Sequence, residues 1–431
     1  MLTKKEKATV FLVSFLWVLA IAVVCGGWLF NFNYVISSFA ATITVVGAIF
    51  MAICQCAIYM PGCLLRKKPG VPVARHTFAP DITIVIIANN AGKTIYDTVY
   101  SMKSQPYAGK IYTIVLDDGS ADDTAFQLSK NIQRGDLVRY IKVPHKITRS
   151  NVVELILKNV QTQYFVLLDQ DIWLYKNCLS LLVDEMIESE YRDKNVFAVQ
   201  GSVFIRNSRD NMLTKLVEQF YFAHNASKKR SAGMLDDTVN TCYDLVVYNT
   251  NIVRLLGSIC YKEAKNLLGY KTIYCEQAVG FMWIENGVFA YLDKRGKKIK
   301  ANLNMCRKYL GRRKRNLMVW ARCLETPVIN GIYTLTVLPQ LWIFCVTGSI
   351  LGLLPLLSVK ILSLFIYGMI MDTQYYDVFK PLGLHIRRHK LAIILYTTIG
   401  PILLLISDLI GVIYHQYKKR TCLRGNKNVI I

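Results

Sequence analysis

Two aspartates, Asp169 and Asp171, stand one residue apart at the end of the apolar run 164–168. The run has the composition and length of a buried strand. Because alternate residues of a strand point to the same side, both carboxylates can leave the strand end together and share one hard divalent cation. Such a cation keeps some coordination positions for phosphate oxygens, so the spacing favours a site for a phosphate-bearing nucleotide. The alternative is a plain acidic turn between a strand and a loop.

A second acidic cluster, the Asp-Asp-Gly-Ser segment 117–120, follows another apolar run. Strand-like runs alternate with helix-like segments, in the order 81–88, 93–104, 110–116, 121–133, 150–160 and 164–168. This alternation predicts βαβ units and a mainly parallel sheet. Ligands of such sheets bind beyond the carboxyl ends of the strands, where both acidic clusters fall. Two acid pairs at strand ends favour a nucleotide and metal site over two unrelated turns.

The composition indicates an integral membrane protein, with a net charge of +23 over 431 residues and 53% hydrophobic residues. No charged residue occurs between Lys7 and Arg66, an interval long enough for two membrane helices of about 20 residues each. We expect these helices near 8–30 and 34–58. Basic residues flank the pair, namely Lys4, Lys5, Lys7, Arg66, Lys67 and Lys68. Both ends of the hairpin are therefore expected in the cytoplasm, without a cleaved signal peptide.

Residues 115–124, which read VLDDGSADDT, resemble the VDDGSTDxT segment of family 2 glycosyltransferases, which have the GT-A fold. Residues 164–171 resemble the metal-binding Asp-x-Asp of that family. Residues 201–207 and 215–231 resemble the following stretch of membrane-embedded synthases of the poly-N-acetylglucosamine, chitin and hyaluronan type. The resemblance implies an α/β GT-A domain inserted between N-terminal and C-terminal transmembrane helices. The implied parts are two helices in 1–62, a cytoplasmic catalytic domain in 63–310, a basic amphipathic interfacial segment in 311–326, and a transmembrane region with a basic tail in 327–431.

The resemblance also implies roles for matching residues. The positions that match nucleotide-binding residues are Asn90, Asp117, Asp118, Arg149 and Asp169. Among them, Asp118 is expected to contact the uridine and Asp169 the ribose and diphosphate, since carboxylates accept hydrogen bonds from uracil N–H and ribose hydroxyl groups. Asp171 is expected to bind Mg²⁺ or Mn²⁺, with Asp169 as a second ligand. Arg149 replaces an expected lysine, which keeps the charge but changes its geometry.

Several positions depart from the family pattern. Ile87 stands where a proline is usual, and Asn90-Ala91 replaces Asn-Glu, so one carboxylate on the nucleotide side is absent. Tyr243-Asp244 replaces the Ser-Gly that precedes the acceptor region.

The general base is the most serious departure. Cys275-Glu276-Gln277 occupies the place of the Thr-Glu-Asp whose aspartate takes the proton from the attacking hydroxyl. The amide of Gln277 has no basic site near neutral pH. Three alternatives follow: a backbone change re-aims Glu276, Asp244 substitutes for the base, or the site transfers no sugar. Glu276 can also be read as an acid at the N-terminus of a helix over 278–284.

Eleven lysines and arginines crowd residues 294–315. A solvated face against anionic lipid explains most of them. The resemblance offers two registers for the Gln-x-x-Arg-Trp motif of the family. One places Arg315 at the arginine and Arg312 at the glutamine, and the other places Trp320 at the tryptophan. The registers differ by about one helical turn, so Arg315 and Trp320 can share one face and meet the diphosphate.

Beyond Pro327 the chain is apolar again, in segments near 328–347, 350–371 and 391–414 that Lys360, Pro401 and Asp408 interrupt. Three crossings would place the basic tail outside, whereas two crossings and a re-entrant or interfacial segment would keep it inside. Both topologies stay open. His385 and His389 lie beside two arginines and are expected to form a juxtamembrane basic cluster rather than a metal site.

These features favour a glycosyltransferase of the cell membrane that takes a UDP-sugar at the cytoplasmic face with Mg²⁺ or Mn²⁺. The expected partners are a glycan or lipid-linked acceptor, membrane lipids and other subunits of polysaccharide synthesis, without nucleic acid. A preference for an N-acetylglucosamine-type sugar follows from the resemblance alone. The alternative is a pseudoenzyme that keeps the fold and acts as a structural or regulatory partner. The departures that favour it are Ala91, Tyr243-Asp244, Gln277 and Asn316, which takes the place of the tryptophan of Gln-x-x-Arg-Trp in the first register.

Overall fold

The structure is a computed structural model, and it describes residues 79–130, 132, 137–143, 149–192, 195–230, 245–259, 270–296, 299–300, 354–385 and 389–427, with the single residues 46, 49, 53, 334 and 345. Several predicted features lie outside these residues: the helix near 8–30, nearly all of the segments near 34–58 and 328–347, the interfacial segment 311–326, and Asp244, Arg312, Arg315 and Trp320. The predicted domain boundaries therefore stay predictions.

In the described part of the chain, eight strands form one mixed sheet. They are β1 Ile82–Ala88, β2 Ile111–Asp117, β3 Val138–Lys142, β4 Tyr164–Asp169, β5 Ile172–Leu174, β6 Val196–Ile205, β7 Leu245–Asn249 and β8 Lys271–Met282. The strand order is β3-β2-β1-β4-β7-β6-β8-β5. Strands β3, β2, β1 and β4 are parallel neighbours, β7 runs antiparallel to β4 and β6, and β8 is parallel to β6 and antiparallel to β5. The predicted βαβ units and largely parallel sheet are confirmed.

Helices cover both faces of this sheet. They are α1 Ile95–Lys103, α2 Thr124–Ser129, α3 Arg149–Asn159, α4 Cys178–Arg192, α5 Met212–Ala223 and α6 Thr250–Leu256, and residues 288–296 are also helical. Local sequence sets their ends. Asn211 caps α5, because its side chain accepts from the backbone N–H of Thr214 while the hydroxyl of Thr214 bonds back to Asn211. Gly257 ends α6 in the left-handed conformation, at a φ of 60°.

The central strands are buried on both faces. One apolar cluster contains Ile82, Ile84, Ile86, Val166 and Leu168, and the other contains Val85, Leu116, Phe165 and Leu167, all fully buried. Continuous apolar runs of this kind are typical of parallel strands that helices cover on both sides. Burying each large aliphatic side chain contributes about 1.5–3 kcal/mol, so the core holds the strand ends, and the loops that follow them, in a fixed relation.

The C-terminal helices pack against the same domain. They are α7 Leu354–Gln374, α8 Lys390–Thr398 and α9 Gly400–Lys427, with a π-helical turn, Tyr375–Phe379, after α7. A third apolar cluster joins them to the sheet, where the rings of Phe204 and Phe379 lie 4.9 Å apart. Within the described residues, none of the helices taken singly has the length and apolar character needed to cross a membrane. Together, Lys390–Thr398 and Gly400–Tyr414 meet that requirement as a pair bent by 69°.

Candidate active site

The loops after β1, β2 and β4 meet at one edge of the sheet. Strand β1 lies between the other two, and its register places Ala88 opposite Asp117 and Ile87 opposite Asp169. The two predicted acidic clusters therefore lie on either side of the end of β1. This is the edge at which open α/β sheets bind their ligands.

Asn90 joins the loops after β1 and β2. Its backbone N–H donates to the Ser120 hydroxyl at 2.9 Å, and its side-chain oxygen accepts from the Ala121 N–H at 3.0 Å. Asn90 has a φ of 52°, a left-handed conformation that asparagine adopts more readily than most residues. The structure therefore places this candidate in the loop scaffold, with its side-chain oxygen engaged by the protein. The next residue, Ala91, is only 2% exposed and packs in the core.

Asp117 is buried beneath the same loops. One of its carboxylate oxygens accepts from the N–H and the hydroxyl of Ser120, at 2.8 and 2.5 Å, and the other accepts from the Tyr140 hydroxyl. Burial, together with this hydrogen bond, raises the pKa of Tyr140 above its ordinary value, so the hydroxyl remains a donor. Asp117 thus shapes the loop, whereas Asp118 is half-buried at its surface.

Gln170, between the two aspartates, ties the loop after β4 to the loop after β1. Its side-chain oxygen accepts from the Asn89 N–H at 2.5 Å, and its amide nitrogen donates to the Asn89 carbonyl at 3.2 Å. Its own carbonyl accepts from the Thr98 hydroxyl on α1 at 2.8 Å. These bonds restrain the backbone on which Asp169 and Asp171 stand. Sequence reasoning missed Gln170, although its place inside the Asp-x-Asp is the signal that could have found it.

Asp171 carries the clearest mark of a cation site. Its side chain is 15% exposed, and one carboxylate oxygen lies 3.0 Å from the Lys294 ammonium. The ammonium stands where a positive ion is expected. Asp169 is half-buried at the end of β4, one residue from the turn. Within the described ranges, no group of three or more His, Cys, Asp or Glu side chains could hold a metal. Asp169 and Asp171 could supply two carboxylates to Mg²⁺ or Mn²⁺, and the remaining positions would need oxygens of a ligand.

A cavity of about 200 Å³ opens beside Asp171. Its lining includes Lys93, Asp97, Asp171, Trp173, Arg206 and Trp283. Arg206 donates to Asp97 at 2.6 Å and lies 5.5 Å from the Trp173 ring centre. Indole rings beside charged groups offer both an apolar face and hydrogen-bond partners, which suits a sugar. The sequence analysis did not identify this cavity, because its residues come from four separated segments.

Glu276 and Gln277 lie in a bulge of β8. Gly201 pairs with Cys275 and Ser202 with Val279, so residues 276–278 are extra on the β8 side. A Cβ atom on Gly201 would come within 2.7 Å of the Ala278 carbonyl oxygen, so the bulge requires glycine there. The reading of Glu276 as an acid at a helix N-terminus is wrong, because 271–282 pair as a strand along β6. The structure thus has a local backbone irregularity at this position, and the hypothesis that it re-aims Glu276 to act as the base stays a prediction.

The bulge aims Glu276 at Arg230 rather than into open space. The Arg230 side chain is 5% exposed, donates from Nε to one Glu276 oxygen at 2.6 Å, and places Nη2 2.5 Å from the same oxygen as an ion pair. It also lies 3.5 Å from an oxygen of Asp377 in the C-terminal π-helical turn. Gln277 is 9% exposed and donates to the Asp377 carbonyl at 3.3 Å. An arginine-paired carboxylate is a weak base, since the guanidinium favours its charged form.

The other candidates are placed as follows. Arg149 is the first residue of α3. Two members of the basic run form ion pairs within the protein, since Lys294 pairs with Asp171 and Arg295 with Asp408 of α9. The lipid-facing interpretation of most of the run stays a prediction. His389 lies 3.9 Å from Glu218 and is 21% exposed, so it belongs to a contact between α5 and the start of α8.

Comparison with known proteins agrees with this architecture. Residues 83–244 match the family described as Glycosyl transferase family 2. An N-acetylglucosaminyltransferase of Mesorhizobium japonicum is 22% identical over 49% of this chain and 54% of that protein. A hyaluronan synthase of Streptococcus pyogenes is 23% identical over 57% of this chain and 56% of that protein. The chain thus spans about half the length of the curated relatives it matches.

One solved structure shares the fold. A mannosyltransferase of Pyrobaculum calidifontis, in complex with GDP-Man and Mn²⁺, aligns with a TM-score of 0.53 at 14% identity, over 78% of this chain and 98% of that chain. At that identity the likeness shows the fold alone. The family match, the mixed sheet and the position of its strand-end carboxylates lead to one conclusion: the chain contains a family 2 glycosyltransferase domain with a GT-A-type fold.

Proposed function

We propose that the chain transfers a sugar of the N-acetylglucosamine type from a UDP-sugar to a growing glycan or a lipid-linked acceptor. The observation that carries this proposal is the position of Asp118, Asp169 and Asp171 at the carboxyl ends of β2 and β4, the two strands that flank β1, in a family 2 domain. The sugar and acceptor classes are supported by the names of the relatives, an N-acetylglucosaminyltransferase and a hyaluronan synthase.

Each side chain has a defined part in donor binding. Asp118 accepts hydrogen bonds from the uridine, and Asp169 contacts the ribose and diphosphate. Asp169 and Asp171 hold Mg²⁺ or Mn²⁺, which, when bound, supplies positive charge to the departing diphosphate. Gln170 keeps these two carboxylates aligned by its bonds to Asn89. The cavity beside Asp171 accommodates a sugar ring against the indoles of Trp173 and Trp283.

We also propose that the protein is embedded in the cell membrane, with this domain in the cytoplasm and with lipids and other polysaccharide-synthesis subunits as partners. The charge-free interval between Lys7 and Arg66 supports it, as does the bent apolar pair of C-terminal helices. In intact cells, single cysteines introduced into this domain should not be labelled by an impermeant thiol reagent. Labelling there would overturn the orientation.

A second candidate function rests on the bulge of β8. Gln277 occupies the place of the base, and Glu276 is committed to Arg230. These contacts favour a pseudoenzyme that keeps nucleotide binding and serves as a structural or regulatory partner in a polysaccharide-synthesis complex.

The deciding experiment is UDP release by the purified chain in detergent, with a panel of UDP-sugars and Mn²⁺. For the transferase we expect release with one sugar, lost in Asp171→Asn and retained in Asp210→Asn, whose carboxylate accepts from Asn207 and Asn286 elsewhere. UDP binding without release from any sugar would instead establish the pseudoenzyme. Absence of UDP binding would exclude both.

A further inference from the structure

Lys294 reaches the donor site from the helical segment 288–296. Its ammonium lies 3.0 Å from a carboxylate oxygen of Asp171 and 3.6 Å from the sulfur of Met282. The two partners differ in exposure, since the Lys294 side chain is 60% exposed and that of Asp171 is 15% exposed. The exposed lysine side chain can therefore leave the ion pair at little cost in free energy, whereas the surrounding protein restricts the position of the Asp171 carboxylate.

The backbone of Lys294 is held firmly on α9. The next residue, Arg295, forms a buried ion pair with Asp408. On α9, a Cβ atom at Gly411 would lie 2.7 Å from the Leu292 carbonyl oxygen and 3.1 Å from the nitrogen of Gly296, so the two segments are in direct backbone contact. The movable part is thus the four-carbon side chain of the lysine, while its point of attachment stays fixed.

The position of the ammonium conflicts with a second cation on the same carboxylate. Mg²⁺ or Mn²⁺ at Asp171 would stand in contact with the ammonium, and like charges at that distance repel strongly in a half-buried site. The lysine and the divalent cation therefore compete for Asp171. A bound diphosphate changes this competition, because it brings several negative charges within reach of the flexible Lys294 side chain. Lysine binds phosphate as a point charge, so the ammonium can pair with the diphosphate and leave Asp171 to the cation.

We infer that Lys294 is a donor-binding residue that exchanges Asp171 for the diphosphate when the nucleotide and its cation bind together. The inference rests on the proposed function, since it names a further contact to the same donor. It has a thermodynamic consequence. The lysine weakens binding of the cation alone and strengthens binding of the nucleotide with the cation, so it couples the two ligands positively.

The test measures both ligands on the full chain in detergent. Mn²⁺ alone is titrated by electron paramagnetic resonance, and UDP is titrated by calorimetry at saturating Mn²⁺. For Lys294→Met we expect Mn²⁺ alone to bind several-fold more tightly and UDP to bind about tenfold more weakly, the usual size of one lost charge-assisted hydrogen bond. Lys294→Arg should stay near wild type in both titrations. The matched control is Lys158→Met, which removes a lysine from an exposed pair with Glu154 on α3 and should change neither.

The opposite signs of the two effects are the signature of exchange, because a merely structural lysine would weaken both ligands or neither. If Lys294→Met leaves the affinities for Mn²⁺ and for UDP at wild-type values, or shifts both in the same direction, the inference is overturned. The proposed function stands in that case. If the wild type binds UDP equally well in Mn²⁺ and in EDTA, and Asp171→Asn has the same UDP affinity, then the metal site of the proposed function is wrong, and the inference falls with it.

Discussion

Arg230 donates from Nε to one carboxylate oxygen of Glu276 at 2.6 Å, its Nη2 lies 2.5 Å from the same oxygen, and the two side chains are only 5% and 13% exposed. Arg230 directly follows a π-helical turn, His224–Lys229, at the end of α5, so the pair joins this segment to the bulge of β8. Asp377 extends it to the C-terminal helices, with an oxygen 3.5 Å from the same guanidinium. Ion pairs therefore connect the bulge of β8, which contains Gln277, to the C-terminal helices.

Removing the Glu276 charge should destabilise the fold. We expect Glu276→Gln to lower the free energy of unfolding by about 3–5 kcal/mol, because the buried guanidinium of Arg230 loses the charge of its nearest carboxylate, whereas Asp377 lies farther away. Denaturant titration in detergent measures the change. The control is Glu154→Gln, which breaks a pair with Lys158 whose side chains are 64% and 67% exposed. Its effect should stay below about 1 kcal/mol, and equal effects would contradict the structural role of the Arg230 pair.

Restoring a carboxylate at the base position should raise sugar transfer. If the chain is a weakened transferase, Gln277→Asp should increase UDP-sugar turnover by about 10²–10⁴-fold, the usual contribution of a positioned general base. The control is Gln277→Asn, which has the same size as aspartate and also shortens the side chain that donates to the Asp377 carbonyl, but carries no base. A gain in both variants would point to side-chain length. No transfer in either, with UDP still bound, would favour the pseudoenzyme.

The two acidic clusters should respond differently to removal of the cation. We expect Asp171→Asn to weaken UDP binding in Mn²⁺ and to change it little in EDTA, because the carboxylate acts through the metal. Asp118→Asn should weaken UDP binding under both conditions, because the proposed role of that carboxylate is to contact the uridine itself. Calorimetry on the two variants, with and without Mn²⁺, separates the roles. Identical responses of the two variants would show that the assignment is wrong.

Glu218 should make stability depend on pH near neutrality. Burial raises the pKa of its carboxyl from 4.5 to about 7, against the opposing effects of the Ser208 hydroxyl and of Arg209. A raised carboxyl pKa stabilises the fold fully below pH 4.5, and this contribution is lost as pH rises through about 7. Relative to Glu218→Gln, wild type should therefore lose up to about 2 kcal/mol between pH 5.5 and 8.5. His389, at 3.9 Å, reduces the loss where it is protonated. Parallel pH profiles of the two proteins would contradict the shift.

Lys360 should stabilise the break between α8 and α9. Its ammonium donates to the carbonyls of Thr397 and Thr398 at 2.7 and 2.9 Å. The helical partner of the Thr397 carbonyl is the nitrogen of residue 401, and Pro401 has no N–H to donate. We expect Lys360→Met to lower the free energy of unfolding by about 1–3 kcal/mol, and by less when Pro401→Ala supplies the missing N–H. A double-mutant cycle measures this coupling, and strict additivity would contradict it.

The sequence alone determined the sheet edge and its acids. The runs that end at Leu116 and Leu168 are mainly apolar, as buried strands require, and each is followed directly by aspartates. Local pattern therefore sufficed to place Asp117, Asp118 and Asp169 at one edge. The resemblance to family 2 rested on those same short segments, and the match over 83–244 agrees with it.

Only the tertiary structure decided what these residues contact. Gln170 meets Asn89 across 81 positions, Lys294 meets Asp171 across 123, and Gln277 meets Asp377 across 100. Periodicity reports which face of an element is buried, but not which distant segment covers it. The three extra residues of β8 likewise interrupt the alternation of side chains between the two faces, which is the pattern by which a strand is recognised in a sequence. The sequence shows the charge of Lys294 but not its position. That position depends on the packing of the segment 288–296 against Gly411, which exists only in the folded chain.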